Sequence, residues 1–370
     1  MKTLAKARIL VTRFPYESRY GGEEVHTLTL MDSLAKRGFF VAFAGSDPVL
    51  LKEFPKQDTP ILQTWLAKPP VSKGWLVLFT LLSPILFLDS LRLLFNARQR
   101  WKVDTVYMLS LGEKLMMTPW AILFGMKVLW LEHARIGNWL TKNPWRPWYS
   151  WWSRWVTVVV TSKKMEAELP FVRHVISVPC GIQKNKHSSP LPQEFLDFAK
   201  DHFCVGNVSR LTVDKGVDMM VRLVHSQPDI KLILVGTGPL EKLAQESVDA
   251  DRILTIPFLD QSQLPAFYQA LDLFVLASME MDPFGMVAAE AMLAGTPTVV
   301  TDLCGISGDL KDGENARVIS PRFASLDKAV KELKKNPELR KKMGARGKVF
   351  AEKNYDMELM VGRFEELIRR

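Results

Sequence analysis

One pattern constrains this chain more than any other, and it starts twice. A short apolar run is followed by a glycine turn, a helical stretch and a second apolar run. Residues 7–14 (ARILVTRF) read as a strand, Gly21-Gly22 as a glycine loop, EEVHTLTLMDSLAKRG as a helix ending at Gly38, and FFVAFAG as the next strand. The pattern restarts with FCVGNVSRLTVDKGVDMMVRLV and continues through IKLILVGTGPLEKL, where Gly236 opens the turn. Its GTG lacks the third glycine of a dinucleotide fingerprint. Such alternation builds doubly wound α/β domains, whose ligands sit beyond the carboxyl ends of the strands. A chain of 370 residues can bury two separate cores. The polar KNKHSSPLPQ divides them, giving domains 1–185 and 196–355.

The segment SMEMDPFGMVAAEAMLAGTPTVVTDLC (278–304) carries the most chemistry. Asp282 and Pro283 read as a capped helix start, Gly295 as the helix end, and TPTVV as a buried strand. A helix N-terminus behind Phe284-Gly285 is an anion site, because its first N–H groups lack intrahelical partners. Glu290, seven residues after Pro283, falls about two turns on and on nearly the same face. One helix then offers N–H groups to a phosphate and a carboxylate to nearby hydroxyls, which suits a sugar nucleotide.

This segment resembles the nucleotide-sugar signature of family 4 glycosyltransferases, retaining enzymes of the GT-B fold. Glu290-Ala291-Met292 and Gly295-Thr296-Pro297 follow the family pattern, whereas Asp282 stands where the family has Glu and Glu280 comes two residues too early. The resemblance continues in order. Gly21-Gly22-Glu23-Glu24 is similar to the family's Gly-Gly-x-Glu opening, VISVPCGI to its Val-Ile-Pro-Asn-Gly-Val with Cys180 replacing Asn, and SRLTVDKG to its Gly-Arg-Leu-x-x-x-Lys-Gly. It implies two Rossmann-like domains with a cleft between them and a last helix, 356–370, crossing back to the first. It implies that Arg210, Lys215 and the helix start at Phe284, Gly285 and Met286 stabilise the donor diphosphate. Glu290 would bind ribose hydroxyls and Asp282 a sugar hydroxyl. The backbone around Phe258 and Leu259 would hold the base, Gly21 and Gly22 would approach donor or acceptor, and His133 would sit beside the donor sugar. A lone histidine is otherwise most often structural. The donor would be UDP- or GDP-linked, and no metal is required. Asp249-Ala250-Asp251 has the DxD form that binds a divalent metal in other glycosyltransferase folds. Here it precedes a strand far from these motifs and reads as solvent-exposed.

Charge and tryptophan are unevenly spread. Residues 1–198 hold 26 Lys and Arg against 15 Asp and Glu, while residues 199–370 hold 23 against 25. All eleven tryptophans lie between Trp65 and Trp155, six of them in WLTKNPWRPWYSWWSRW (139–155). Tryptophan with Lys142, Arg146 and Arg154 is a membrane-interface composition. Aromatic core packing and a protein-binding surface are the alternatives. Residues 75–95 (WLVLFTLLSPILFLDSLRLLF) fit a buried, an interfacial or a membrane-spanning helix. No nucleic-acid module pattern accompanies the basic half. Three widely spaced cysteines suggest neither a disulfide scaffold nor a zinc site, and they fit a reducing cytosol. The first residues read as a strand, not a signal peptide.

These features lead to a retaining glycosyltransferase acting on a lipid-linked or cell-envelope glycan acceptor. The chain is expected in the cytoplasm, peripheral on an anionic membrane surface at the inner face. A GT-B relative with other chemistry, such as a nucleotide-sugar epimerase or a phosphorylase, and a non-catalytic GT-B binding protein are the other classes.

Overall fold

The computed structural model describes residues 6–14, 21–64, 68–133, 135–183, 189–200 and 202–369. It divides into two compact units, residues 1–178 with 360–370, and residues 179–359. The polar stretch 183–200 therefore falls inside unit 2, because Ile182 N–H already donates to Tyr355 O at 2.7 Å. Its residues 184–188 lie outside the described residues. The last helix, Met357–Arg369, begins in unit 2, and from Met360 its residues belong to unit 1.

Unit 1 has a seven-stranded parallel sheet: β1 (Arg8–Arg13), β2 (Phe40–Gly45), β3 (Ile61–Gln63), β4 (Thr105–Met108), β5 (Lys127–Glu132), β6 (Thr157–Val160) and β7 (Val175–Ser177). The order is β3-β2-β1-β4-β5-β6-β7, so chain direction across the sheet reverses between β1 and β4. Ile9 pairs with Val41 on one side and Thr105 on the other. Strands buried on both faces read as continuous apolar runs, and Ile9, Leu10 and Val11 are all buried.

Unit 2 has a six-stranded parallel sheet: β8 (Phe203–Val208), β9 (Ile230–Val235), β10 (Ile253–Ile256), β11 (Leu273–Leu276), β12 (Thr298–Thr301) and β13 (Arg317–Ile319), in the order β10-β9-β8-β11-β12-β13. Its two faces feed two cores. Val205, Leu232, Leu234, Leu273, Val275 and Val299 pack under the helices Val217–Ser226 and Phe323–Lys335. The alternate residues Cys204, Ile233, Phe274, Leu276 and Val300 pack under Leu264–Gln269 and Met286–Ala294. This period-2 division between layers makes the sheet doubly wound. Each fully buried Leu, Ile or Phe contributes about 1.5–3 kcal/mol.

The greasy stretch 75–95 belongs to a longer helix, Lys73–Trp101. Phe79, Leu86, Ser90, Leu93, Leu94 and Ala97 are buried, and the opposite face is open. The helix is long and apolar enough to cross a membrane by length and composition. One face, however, is held by the fold, and the Trp120 indole donates to Phe87 O at 2.8 Å.

Candidate functional site

In unit 2 the expected donor residues fall in loops leaving β8, β9, β10 and β11, at the carboxyl ends of the strands. The loop after β8 carries Arg210 and Lys215. It closes on Gly216, whose φ of 68° lies in the left-handed region. A Cβ there would stand 2.1 Å from the Ala277 carbonyl oxygen, so glycine is required for the loop to touch the end of β11. The two loops are joined directly. Met279 N–H donates to Asp214 O at 2.8 Å, and Lys215 Nζ donates to Asp282 Oδ2 at 2.6 Å. The exposed Arg210 guanidinium pairs with Asp214 at 3.3 Å. Gly236, after β9, has φ 137°, and a Cβ would meet Ser209 O at 1.9 Å. Three loops thus crowd around Lys215 and Arg210 because small residues let their backbones meet.

The helix start is corrected by three residues. The helix runs Met286–Ala294, its N-cap is Gly285 in the left-handed region (φ 92°), and Gly295 (φ 88°) ends it as expected. Asp282 is not the N-cap. Its Oδ1 accepts from Phe284 N–H at 3.2 Å in a local turn, and its other oxygen holds Lys215. The Asp-Pro-Phe segment is clamped to the loop after β12. Asp282 N–H donates to Leu303 O (3.0 Å), Gly305 N–H to Asp282 O and Ile306 N–H to Phe284 O (both 2.7 Å). No described side chain caps the first turn, so the N–H groups at Met286 and Val287 face outward from the helix end. Glu290 is consequently one turn from the helix start, an axial rise of about 6 Å, instead of two turns.

Glu290 Oε2 accepts from Tyr268 Oη at 2.8 Å. Burial pushes the Glu290 carboxyl up to about 7, and the Tyr268 hydroxyl works against that shift. Nothing in the spacing of 278–304 points to Tyr268. It comes from the preceding helix, and Thr296 Oγ1 anchors its backbone through Tyr268 O at 2.6 Å. Phe258 and Leu259, after β10, diverge: the Phe258 side chain is exposed, and Leu259 is buried in the unit 2 core. Asp249 is half-buried and bonds Arg252 and His225, so only Asp251 of the DxD string is exposed. The string precedes β10, at the opposite end of that strand from Phe258 and Leu259. Among the described residues no group of three His, Cys, Asp or Glu is arranged to hold a metal.

Unit 1 places the remaining expected residues at the carboxyl ends of its own strands. Gly21 is extended and precedes the helix Gly22–Lys36, where its N–H donates to Glu24 Oε2 at 3.0 Å. His133 follows β5, its ring edge-on to His26 at 4.4 Å. Neither ring nitrogen has a hydrogen-bond partner among the described residues. Desolvation, then His26, Arg13 and Lys114, hold His133 neutral well below the usual histidine range. It lines a pocket of about 190 Å³ with Arg13, Glu23, Ser110, Glu132 and Trp139. A dense ionic cluster, unexpected from the sequence, supports this pocket. Arg13 pairs with Glu23 (3.4 Å), Glu24 (3.1 Å) and Asp47 (3.2 Å), and Lys114 pairs with Glu132 at 2.7 Å. Glu113 accepts from the Ser110, Leu109 and Phe14 N–H groups, and its carboxyl is nevertheless raised by burial to about 7. The adjacent acids Glu23-Glu24 beside the glycine pair were the visible signal for this cluster.

Residues 192–350 match the family described as Glycosyl transferases group 1. Among curated relatives, the GDP-mannose-dependent alpha-(1-6)-phosphatidylinositol monomannoside mannosyltransferase of Mycolicibacterium smegmatis is 27% identical over 176 residues, 44% of this chain and 46% of that protein. The matched stretches span 31–46% of the first curated relatives. Among solved structures, sucrose-phosphate synthase from Thermosynechococcus elongatus has a TM-score of 0.79 at 20% identity, covering 98% of both chains. HepE from Anabaena in complex with UDP has a TM-score of 0.76 at 16% identity, covering 98% of this chain and 99% of that one. Residues 192–350 are therefore similar to group 1 glycosyl transferases, on a chain whose two parallel-sheet, Rossmann-like units give it the GT-B fold.

Proposed function

We propose that this protein is a retaining glycosyltransferase of the family 4 type. It moves a sugar from a nucleoside diphosphate sugar to a lipid-linked or cell-envelope glycan acceptor presented at the cytoplasmic face of a membrane. The observation that carries this reading is the convergence of Lys215, Asp282, the uncapped helix start at Gly285-Met286 and Glu290 at the carboxyl ends of the unit 2 strands.

Each group has a chemical task. The Lys215 and Arg210 cations and the helix N–H groups stabilise the charge that develops on the departing diphosphate. This supply of positive charge removes the need for a metal. Glu290, as a carboxylate, accepts from two ribose hydroxyls, and Asp282 accepts from a sugar hydroxyl. In unit 1, the neutral ring of His133 offers one donor and one acceptor to a substrate hydroxyl. The acceptor hydroxyl attacks on the face the diphosphate leaves, with a leaving-group oxygen taking its proton. A lipid acceptor is supported by the phosphatidylinositol monomannoside in the relative's name, and a UDP or GDP donor by the UDP and GDP-mannose in the names of similar proteins.

Thermal unfolding in the presence of UDP, GDP, ADP and their sugars, with and without EDTA, tests the donor site, because a native-state ligand raises the melting temperature by mass action. Stabilisation by one nucleotide class, unchanged by EDTA, is expected. Sugar transfer or donor hydrolysis should fall to near zero in Arg210→Ala and Lys215→Ala. Wild-type protein with neither stabilisation nor turnover would replace this reading with a non-catalytic binding protein.

A further inference from the structure

We infer that the outward face of the helix Lys73–Trp101, together with the Trp151–Trp155 pair, is a docking surface for an anionic lipid bilayer. The inference deepens the proposed function by naming the surface the acceptor is met on. It rests on that reading for the acceptor but not for the binding.

Val77, Leu81, Ile85 and Leu88 each expose more than half of their surface, and Phe95 exposes half. Their spacing of four, four, three and seven puts them on one stripe about 27 Å long. A continuous apolar stripe of this length on a folded unit marks an interaction surface. The tryptophan segment is tied to this helix. The Trp145 indole donates to Thr80 Oγ1 at 3.1 Å, and Trp145 packs edge-on against Phe79 at 5.7 Å. From there the helix Arg146–Trp152 leads to Trp151 and Trp155, each about half exposed, with rings 5.3 Å apart and Arg154 over Trp151 at 5.0 Å. Half-exposed tryptophans beside arginine suit the headgroup layer, where a ring is wetted on one side only.

Charge selects the occupant. Residues 68–102 hold Lys68, Lys73, Arg92, Arg98, Arg100 and Lys102 against one acid, Asp89, which is paired with Arg92 at 3.1 Å. Residues 133–165 contain no Asp or Glu. A second copy docking through the same stripe would bring two such basic surfaces together and repel. An anionic bilayer neutralises them while burying the aliphatic stripe. The helix lies in the interface plane and does not cross it. Its inner face is occupied by the fold, including the buried Ser90 hydroxyl and the Trp120–Phe87 bond.

Flotation of the purified chain with phosphatidylcholine vesicles, with and without phosphatidylglycerol, tests this directly. Binding to the phosphatidylglycerol vesicles at low salt, weakened by salt, is expected. Lys73→Gln, on the stripe side of the helix, should weaken it about fivefold. Leu81→Asn with Ile85→Asn, both exposed, should weaken it about tenfold or more. Nucleotide stabilisation should survive in both variants and so report an intact donor site. Absence of wild-type binding, or binding unchanged in the Leu81/Ile85 variant, overturns the inference. So does a dimer that this variant converts to monomer without loss of vesicle binding. Vesicle binding by a chain that no nucleotide stabilises would leave this surface standing and remove the donor reading.

Discussion

Replacing Asp282 by Asn separates two demands on one side chain. Asp282 holds Lys215 Nζ at 2.6 Å, and the two side chains expose only 14% and 18% of their surface. Removing the carboxylate leaves a mostly buried ammonium unpaired, which costs about 1–3 kcal/mol of stability at this partial burial. For a chain of this size that lowers Tm by a few degrees. Donor binding should move the other way. A carboxylate that neutralises Lys215 also repels an incoming diphosphate. At a separation of about 7 Å and an effective dielectric of about 40, that repulsion is roughly 1.2 kcal/mol. Asp282→Asn should therefore bind the free nucleoside diphosphate about sevenfold more tightly, while sugar transfer falls because the proposed contact to a sugar hydroxyl keeps only a neutral amide acceptor in place of the stronger carboxylate. Titration calorimetry with the diphosphate, alongside steady-state transfer rates, reads both. Weaker diphosphate binding in Asp282→Asn, with the variant folded, would refute the view that this pair faces the phosphates. Lys215→Ala is the control: it too loses stability, but its diphosphate affinity falls instead of rising.

Glu290 contributes a pH dependence of its own. Its carboxyl is raised from 4.5 to about 7, so the unfolded chain ionises first and this group makes stability fall as pH rises between those values. Allowing for its partial exposure the effect is about 1–2 kcal/mol. Glu113 acts in the same direction, so the difference between wild type and Glu290→Gln in urea melts across that window isolates Glu290. Donor affinity should rise with pH over the same range, because the ribose contact proposed for Glu290 needs the carboxylate to accept from both hydroxyls. Tyr268→Phe should move that midpoint upward, by removing the hydroxyl that favours the ionised form; an unmoved midpoint would disconnect Tyr268 from the site. Gly216→Ala should cost about 2–4 kcal/mol, from left-handed strain and the collision with Ala277 O, and should weaken diphosphate binding as Lys215 shifts; denaturant melts and calorimetry read the two effects.

The local sequence determined whatever depends on neighbours within a few residues. The strand runs, the glycine turns and the restart of the pattern near residue 203 identified two doubly wound units, since periodicity and turn chemistry are local. Gly295 was legible as a helix end because few other residues adopt its backbone conformation. The start of the same helix was not. Asp-Pro has the form of a capped first turn, but backbone hydrogen bonds to Leu303 O and from the Gly305 and Ile306 N–H groups hold residues 282–284 outside the helix, and those partners lie more than twenty residues away. Tertiary structure alone decided that Asp282 pairs with Lys215, 67 positions distant, and that Tyr268 reaches Glu290. It alone gathered Arg13, Glu23, Glu24 and Asp47 at the end of β1. The greasy segment 75–95 left three readings open, because apolar composition alone does not say which face is covered. Packing of Phe79, Leu86 and Leu94 into unit 1 settled that one face is covered, leaving Val77, Leu81, Ile85 and Leu88 turned outward.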